Sequence, residues 1–328
     1  MKIINSIAQH INGRVAILLL SIVALLIGTV ASSIGTQAAT SSSISANAFI
    51  AARCQTTDLV GHRGASAPNV KNNTIPAFKL AVQSGVKVIE FDIHKTKKEK
   101  GTSQWVVYHD KTIKGRAISK TTYSKLKKLE PSLITYRQAM AYLSTVKTVR
   151  VFAEIKPSKI SKASARYIGR VVNEYKMRPR VEIHSFHKGV LTKFRKYNSG
   201  FRIGFIMNKV KYSPSTIRKF ANSVVINKSL IYGGKVSVSG MKSQRLAVYA
   251  YTPNNSTEWT KLINYGVSGV ITDYGKAYKS WCAGIQPKPV TPPPVVTPPV
   301  EPPAPVDPVP AEPEDPTEPT DPVVPNPA

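Results

Sequence analysis

The chain has 328 residues, with 46 lysines and arginines against 18 aspartates and glutamates, 25 prolines and two cysteines. Residues 287–328 hold 18 of the prolines and seven of the acidic residues, so the remainder is more basic than the net charge of +28 indicates. Because that remainder has ordinary apolar content and no Gly-X-Y period, a collagen-like or wholly disordered chain is excluded. Two cysteines are also too few for a small disulfide-rich scaffold.

The first predicted element is an uncharged apolar run at residues 15–30, which follows Lys2 and Arg14 and precedes a small, polar stretch. Its length lies between that of a secretory signal and that of a minimal membrane-spanning helix. Residues 1–45 are therefore predicted to be a signal peptide, cut near Ala38 and Ala39, or a membrane anchor with its linker. A buried core helix is disfavoured, because the run has no polar face.

Residues 54–284 are predicted to form one folded domain, in which short apolar or β-branched runs alternate with longer segments of helical period. Repeated strand-then-helix order favours a parallel sheet, and nine strand candidates suit a TIM-type (β/α)8 barrel with one extra or hairpin strand. A doubly wound open sheet is the alternative, although no glycine-rich dinucleotide loop follows the first strand. The strand candidates are 58–61, 88–94, 105–108, 149–155, 181–185, 201–207, 223–227, 246–251 and 269–272. The helix candidates are 74–84, 135–144, 163–175, 188–197, 214–221 and 256–265.

The last predicted element is a proline-rich, acidic tail at residues 285–328. Proline fixes φ and removes hydrogen-bond donors, and apolar side chains are few, so this segment is predicted to be disordered and extended. It either holds the domain at a distance from an envelope layer or is simply a disordered terminus.

The two cysteines lie at the ends of the predicted domain, Cys54 before the first strand and Cys282 after the last. In an exported protein they could close the domain end to end as a disulfide, whereas two free buried thiols are the alternative.

Acidic residues of the basic domain lie at predicted strand ends. Glu90 and Asp92 stand two apart in VIEFDIH, so both point to one face of a strand. Two carboxylates facing a barrel interior repel each other and lose hydration unless a positive charge lies between them. Glu154, in FAEIKP, offers a third oxygen ligand from a later strand. The pattern predicts a hard divalent cation, Mg²⁺ or Ca²⁺ rather than zinc, with pairing to lysine or arginine as the alternative.

Two histidines also follow predicted strands, where the active sites of barrels lie. His62 stands beside Arg63 in LVGHRGAS, and His109 ends WVVYHD. Two imidazoles beside a metal and an arginine suit proton transfer to and from a phosphate ester. Lys156 shares the face of Glu154, where it can meet a phosphoryl oxygen.

These segments occur in the order of a known set of motifs: HRGAS, Asn-Asn-Thr, IEFDIHKTK, VVYHD, AEIKP, HSF and GVSGVITDY. From about Leu59 to Tyr274, the sequence resembles the glycerophosphodiester phosphodiesterases. The resemblance implies a metal-dependent TIM-type barrel that hydrolyses glycerophosphodiesters to glycerol 3-phosphate and an alcohol. By motif match it implies His62 and His109 as the acid and base pair, Glu90, Asp92 and Glu154 as metal ligands, and Arg63 and Lys156 as phosphate binders.

Three positions depart from the family pattern. Asn72 replaces a glutamate, Tyr251 replaces a tryptophan that precedes Thr252, and Lys98 replaces an acidic residue. Tyr251 is thus a candidate for the pocket that receives glycerol or the leaving group. No departure removes a predicted metal ligand or acid, so activity is expected.

The sequence therefore predicts an exported enzyme, secreted or associated with the membrane or cell envelope, that acts on a small-molecule or lipid-derived phosphodiester. One alternative keeps the site but changes the substrate to lysophospholipid or sphingomyelin, and another is a non-catalytic basic module that binds the envelope. The excess of basic residues favours an anionic envelope polymer or membrane surface as a further partner. No nucleic acid is expected, because aromatic and basic residues are not interleaved.

Overall fold

A computed structural model describes residues 46–285, so the predicted signal or anchor at 1–45 and the tail beyond 285 lie outside the described residues. Twelve strands are present in this part of the chain. They are β1 (Asp58–Gly61), β2 (Val88–Lys95), β3 (Trp105–Val107), β4 (Thr112–Ile113), β5 (Arg116–Ala117), β6 (Ile134–Thr135), β7 (Arg150–Ile155), β8 (Val181–Ser185), β9 (Arg202–Met207), β10 (Ser223–Asn227), β11 (Ala247–Tyr251) and β12 (Gly269–Thr272).

Eight of the strands in residues 46–285 form a closed parallel barrel. The order around it is β1, β2, β7, β8, β9, β10, β11 and β12, and β12 pairs again with β1. Closure depends on a short contact in which Val60 and Gly61 of β1 pair with Val88 and Ile89 of β2. The predicted TIM-type barrel is therefore confirmed.

The third predicted strand is the extra one. It corresponds to β3, which runs antiparallel to β2 outside the barrel and carries β6 on its other edge. The hairpin of β4 and β5 belongs to the same insertion between β2 and β7. Because β3 runs back along the carboxyl-terminal part of β2, the segment after β3 returns to the carboxyl end of the barrel.

The helices of residues 46–285 cover the outside of the barrel. They are α1 (Ala46–Thr56), α2 (Ile75–Gln83), α3 (Tyr123–Leu129), α4 (Tyr136–Thr145), α5 (Lys162–Glu174), α6 (Lys188–Tyr197), α7 (Pro214–Arg218), α8 (Lys228–Tyr232), α9 (Val238–Ser243), α10 (Ser256–Asn264) and α11 (Gly275–Gly284). Their starts follow local capping rules: Thr74 caps α2, and Thr135 forms a capping box with Gln138 at α4. Among these helices, none has the length and apolar character needed to cross a membrane.

Side chains fill the barrel interior, as is typical of an eight-stranded barrel. A small cluster that includes Phe152, Val225 and Tyr249 fills it, while a larger core lies between strands and helices. One buried carboxylate, Glu182 on β8, also points inward and binds Arg202 and Ser223. Burial opposes its ionisation, but the neighbouring His184, Ser223 and Arg202 lower the pKa of Glu182 to about 2.

A disulfide joins the two ends of the described domain. Cys54 on α1 and Cys282 on α11 are bonded, with their Cα atoms 6.0 Å apart and a sequence separation of 228. The bond therefore ties the helix before β1 to the helix after β12.

Candidate active site

A cavity of about 220 Å³ opens at the carboxyl ends of the barrel strands. It is lined by every residue that the sequence singled out for a functional role: His62, Arg63, Glu90, Asp92, His109, Glu154, Lys156 and Tyr251. Residues from five parts of the chain thus meet at one place, because the carboxyl ends of parallel strands share one end of a barrel.

The centre of the cavity holds the three predicted metal ligands. Glu90, Asp92 and Glu154 are buried, and their carboxylate oxygens lie within 4.8 Å of one another. Strand register causes this, because Asp92 on β2 stands directly opposite Glu154 on β7. Burial and the neighbouring carboxylates raise the pKa of Glu90 well above its usual value and that of Glu154 to about 8. The three groups therefore offer the oxygen donors that a divalent cation prefers. Their negative charges repel one another, and a bound cation would relieve this repulsion.

Of the three carboxylates, Asp92 is the one whose negative charge its neighbours stabilise most. Its Oδ2 accepts a hydrogen bond from the Asn73 amide at 2.9 Å, and its Oδ1 lies 3.4 Å from Lys156 Nζ. Arg63 Nε lies 3.5 Å from Oδ2. Although burial opposes ionisation, Lys156, Asn73 and Arg63 lower the pKa of Asp92, so this carboxylate stays charged.

The turn after β1 brings Arg63 onto the carboxylates. The turn is tight: a Cβ on Gly64, whose φ is +96°, would lie 2.8 Å from the carbonyl carbon of Ala77 on α2. Arg63 itself adopts a φ of 56°, and its backbone N–H donates to Glu90 Oε2 at 2.9 Å. The glycine at position 64 therefore lets the turn close against α2 and aim a backbone donor at Glu90.

His62 is held by a carboxylate that directly follows the last strand. Its Nδ1 lies 2.8 Å from Asp273 Oδ1, and the other Asp273 oxygen accepts from the Asn254 amide at 2.8 Å. Burial raises the pKa of Asp273, but His62 and Asn254 outweigh it and lower that pKa, so the carboxylate stays ionised. Asp273 thus fixes the imidazole ring and leaves its other nitrogen for a substrate oxygen.

His109 reaches the cavity from the insertion rather than from a barrel strand. Its Nδ1 lies 2.7 Å from Asp110 Oδ1, and its backbone carbonyl is 3.1 Å from the ring Nε2 of buried His94. Burial is the main cause that lowers the pKa of His109, which favours the neutral ring at pH 7. A neutral imidazole can accept a proton.

Lys156 lies over the carboxylates as a cation. Its Nζ is 3.1 Å from Glu154 Oε1, and burial, which would lower its pKa, is outweighed by Asp92 and Glu154. The pKa of Lys156 is therefore raised, and together with Arg63 it gives the cavity two fixed positive charges for a phosphate group.

Part of the cavity lining, here called the apolar wall, consists of apolar side chains. Phe186, Ile206, Val225 and Ile271 line it together with Tyr251. The hydroxyl of Tyr251 donates to the Met207 carbonyl at 3.2 Å, so this residue presents its ring rather than a polar group. Burial raises the pKa of Tyr251 to about 12.

Three residues of the site received no role from the sequence. Asn73 binds Asp92, Asp273 binds His62, and His184 lines the cavity between Glu154 and Gly204 in strand register. His184 Nε2 lies 3.3 Å from Glu182 Oε1, though without hydrogen-bond alignment. Asn73 and His184 lie within the motifs Asn-Asn-Thr and HSF, which was the one signal that pointed to them. Asn72, the departure beside Asn73, accepts from Ser66 Oγ at 3.2 Å and does not line the cavity.

The comparisons with known proteins agree with this geometry. The model of the glycerophosphoryl diester phosphodiesterase family matches residues 62–276. A glycerophosphodiester phosphodiesterase of Caldanaerobacter subterraneus subsp. tengcongensis is 26% identical over 232 residues, which cover 66% of this chain and 93% of the relative. A lysophospholipase D of Rattus norvegicus is 24% identical over 271 residues, which cover 68% of this chain and 85% of the relative.

Solved structures share the fold. A glycerophosphodiester phosphodiesterase from Parabacteroides distasonis superposes with a TM-score of 0.62 at 21% identity, covering 70% of this chain and 98% of that one. An Oleispira antarctica phosphodiesterase, solved with the product sn-glycerol-3-phosphate, gives a TM-score of 0.56 at 19% identity, with 70% and 98% covered. The family match includes every residue that lines the cavity, and this chain belongs to the glycerophosphoryl diester phosphodiesterase family.

Proposed function

We propose that this chain hydrolyses glycerophosphodiesters to glycerol 3-phosphate and an alcohol with the help of Mg²⁺ or Ca²⁺. The observation that carries the proposal is the meeting of three buried carboxylates, two histidines and two cations around one cavity. Family membership supports the same reaction, and the product named for the Oleispira antarctica structure is the product expected here.

The ligand set favours a hard divalent cation. Glu90, Asp92 and Glu154 offer carboxylate oxygens alone, which suit Mg²⁺ or Ca²⁺ rather than zinc. When bound, such a cation supplies positive charge that stabilises negative charge developing on a phosphoryl oxygen.

The side chains of the cavity divide the remaining work. Arg63 and Lys156 bind and orient the phosphate through charge-assisted hydrogen bonds. One histidine accepts a proton from the nucleophile, which is water or a neighbouring hydroxyl of the substrate, while the other donates a proton to the departing alkoxide. The carboxylates of Asp273 and Asp110 keep His62 and His109 in place during both transfers.

The activity is tested with the purified full-length chain and glycerophosphocholine. We expect release of glycerol 3-phosphate that requires Mg²⁺ or Ca²⁺, stops with a chelator and is lost in Glu154→Gln. Glu174→Gln is the matched control, because it removes an exposed carboxylate on α5 that lies outside the cavity. Release that continues in chelator, or in Glu154→Gln, excludes the proposed site.

A second substrate is favoured by the apolar wall of the cavity. Phe186, Ile206 and Tyr251 could lie against an acyl chain or a bulky leaving group, and one relative is a lysophospholipase D. Comparing turnover of glycerophosphocholine with turnover of lysophosphatidylcholine and sphingomyelin distinguishes the two. A preference for the lipids by more than tenfold favours this second function.

We also propose that the enzyme works outside the cytoplasm, either secreted or attached to the envelope. The apolar run at residues 15–30 and the bond between Cys54 and Cys282 support this, since disulfides persist in oxidising compartments. Cell fractionation tests it: the full-length chain should be found in the envelope or the medium, with no free thiols. A cytoplasmic, reduced protein contradicts it.

A further inference from the structure

A second cavity, here called the basic groove, lies on the outside of the barrel and has a volume of about 630 Å³. One wall is the segment around the turn between β2 and β3, with Gly101, Thr102 and Ser103. The other wall is α5 from Lys162 to Arg170. Five cationic side chains line it: Lys95, Lys98, Lys162, Arg166 and Arg170. No acidic residue of the described chain lines it.

Two acidic side chains lie close to the basic groove in the sequence, but neither of them lines it. Glu99, beside Lys98, is bound by the backbone N–H and hydroxyl of Ser124. Glu174 lies at the far end of α5, where it pairs with Arg137 at 2.7 Å and with Arg170 at 3.5 Å.

Aromatic rings also hold three of the cations, of which Arg170 pairs with Glu174 as well. Lys162 and Arg166 lie over the ring of Tyr197, at 5.7 and 5.6 Å from its centroid, and Arg170 lies over Tyr167 at 5.7 Å. These three cations stand four residues apart on α5, so they repeat about every 6 Å along one side of the helix. Such a row matches a ligand that carries several negative charges in line.

The lining also indicates which polyanion fits. Hydroxyl groups of Thr102 and Ser103 suit a chain rich in hydroxyls, whereas Trp105 is 2% exposed and cannot stack on a nucleic acid base. The large apolar side chains that are exposed in residues 46–285 lie elsewhere, at Phe49, Val210, Tyr265 and Tyr274, so the groove offers nothing to insert into a lipid bilayer.

We propose that the basic groove binds a linear polyol-phosphate chain, a polymer of small polyols joined by phosphodiesters. The groove follows the outer side of β2, which carries Asp92, and the start of α5, which follows Lys156 in the chain. Both cavities are therefore lined by residues of β2 and of the chain from β7 to α5. Binding at the groove does not require hydrolysis, so the two proposals stand separately.

The test uses a labelled synthetic oligomer of phosphodiester-linked glycerol and the full-length chain, with chelator present to prevent turnover. The variant is Lys162→Gln, Arg166→Gln and Arg170→Gln combined; glutamine favours helices as lysine and arginine do. The control combines Arg116→Gln, Lys120→Gln and Lys128→Gln, which removes the same charge from another exposed basic cavity that has no aromatic support. Thermal unfolding and hydrolysis of glycerophosphocholine are measured for both.

We expect the groove variant to weaken binding of the oligomer by about a hundredfold and to lower the slope of log K against log salt by about two. The control should weaken binding by less than about threefold, because only the general field changes. Equal losses in both variants, or no binding by the parent chain, overturn the proposal. Tighter groove-dependent binding of a single-stranded oligonucleotide or of phosphatidylglycerol vesicles overturns the choice of ligand. Binding with no hydrolysis of any substrate contradicts the proposed function alone.

Discussion

Asn73 supports the acidic cluster, so replacing it should weaken both folding and metal binding. Its side chain is 3% exposed, donates to Asp92 Oδ2 at 2.9 Å and accepts from the Asp92 N–H at 3.3 Å. Its backbone adopts a φ of 61°, a conformation that glycine and asparagine tolerate but alanine does not. The pair Asn73→Gly and Asn73→Ala therefore separates the hydrogen bonds from the backbone conformation.

The expected magnitudes follow from these contacts. Both variants lose a hydrogen bond to a charged carboxylate, which stabilises a protein by about 1.5 to 3 kcal/mol. The alanine variant loses about 1 to 2 kcal/mol more, because a Cβ disfavours the left-handed conformation. Loss of a group that orients a metal ligand should weaken metal binding by about 10- to 100-fold in both variants.

Urea unfolding in chelator measures the first effect, and titration with Mn²⁺ or Mg²⁺ measures the second. The urea midpoint should be highest in the parent chain, lower in Asn73→Gly and lowest in Asn73→Ala. The slope of unfolding free energy against urea concentration should not change. The reasoning is refuted if Asn73→Gly unfolds within about 0.5 kcal/mol of the parent and binds the cation equally well.

Three further results are expected. His62→Ala and His109→Ala should each lower kcat by about 10²- to 10⁴-fold, whereas His187→Ala, outside the cavity, should not; equal losses in all three contradict the assignment. Because the pKa of Glu154 is raised to about 8, this group binds a proton more tightly in the folded metal-free chain than in the unfolded chain. Its contribution to stability should therefore fall as pH rises from about 4.5 to 8, while cation affinity increases; an unchanged pH dependence of stability in Glu154→Gln opposes this. Reduction of the disulfide, which closes 228 residues, should lower the free energy of unfolding by up to about 5 kcal/mol, and an unchanged urea midpoint contradicts that.

The sequence predicted most of the barrel because local patterns match the final packing. The buried runs of β2 and β7 have the period of strands, and Thr74 and Thr135 mark the starts of α2 and α4 by capping. Helix α1 is not among the helix candidates, since it is hardly amphipathic and has no acidic residue in its first turn. Four other helices, α3, α8, α9 and α11, are also absent from those candidates. The short strands β4, β5 and β6 were missed, because two residues carry no readable alternation.

In the site, too, local sequence patterns predicted some features and not others. Glu90 and Asp92 share a face by strand period, and Glu154 joins them through register between neighbouring strands. The partners of these groups could not be predicted so directly. Asp273 meets His62 across 211 residues, and only closure of the barrel between the first and last strands brings them together.

Divalent cation binding, measured by calorimetry on the full-length chain, tests the proposed metal site most directly. We predict one Mg²⁺ or Ca²⁺ per chain in the parent and in Glu174→Gln. We predict its loss in Glu90→Gln, Asp92→Asn and Glu154→Gln, with each variant still folded by circular dichroism. Unchanged cation affinity in the three cluster variants would contradict the claim that these carboxylates form one metal site.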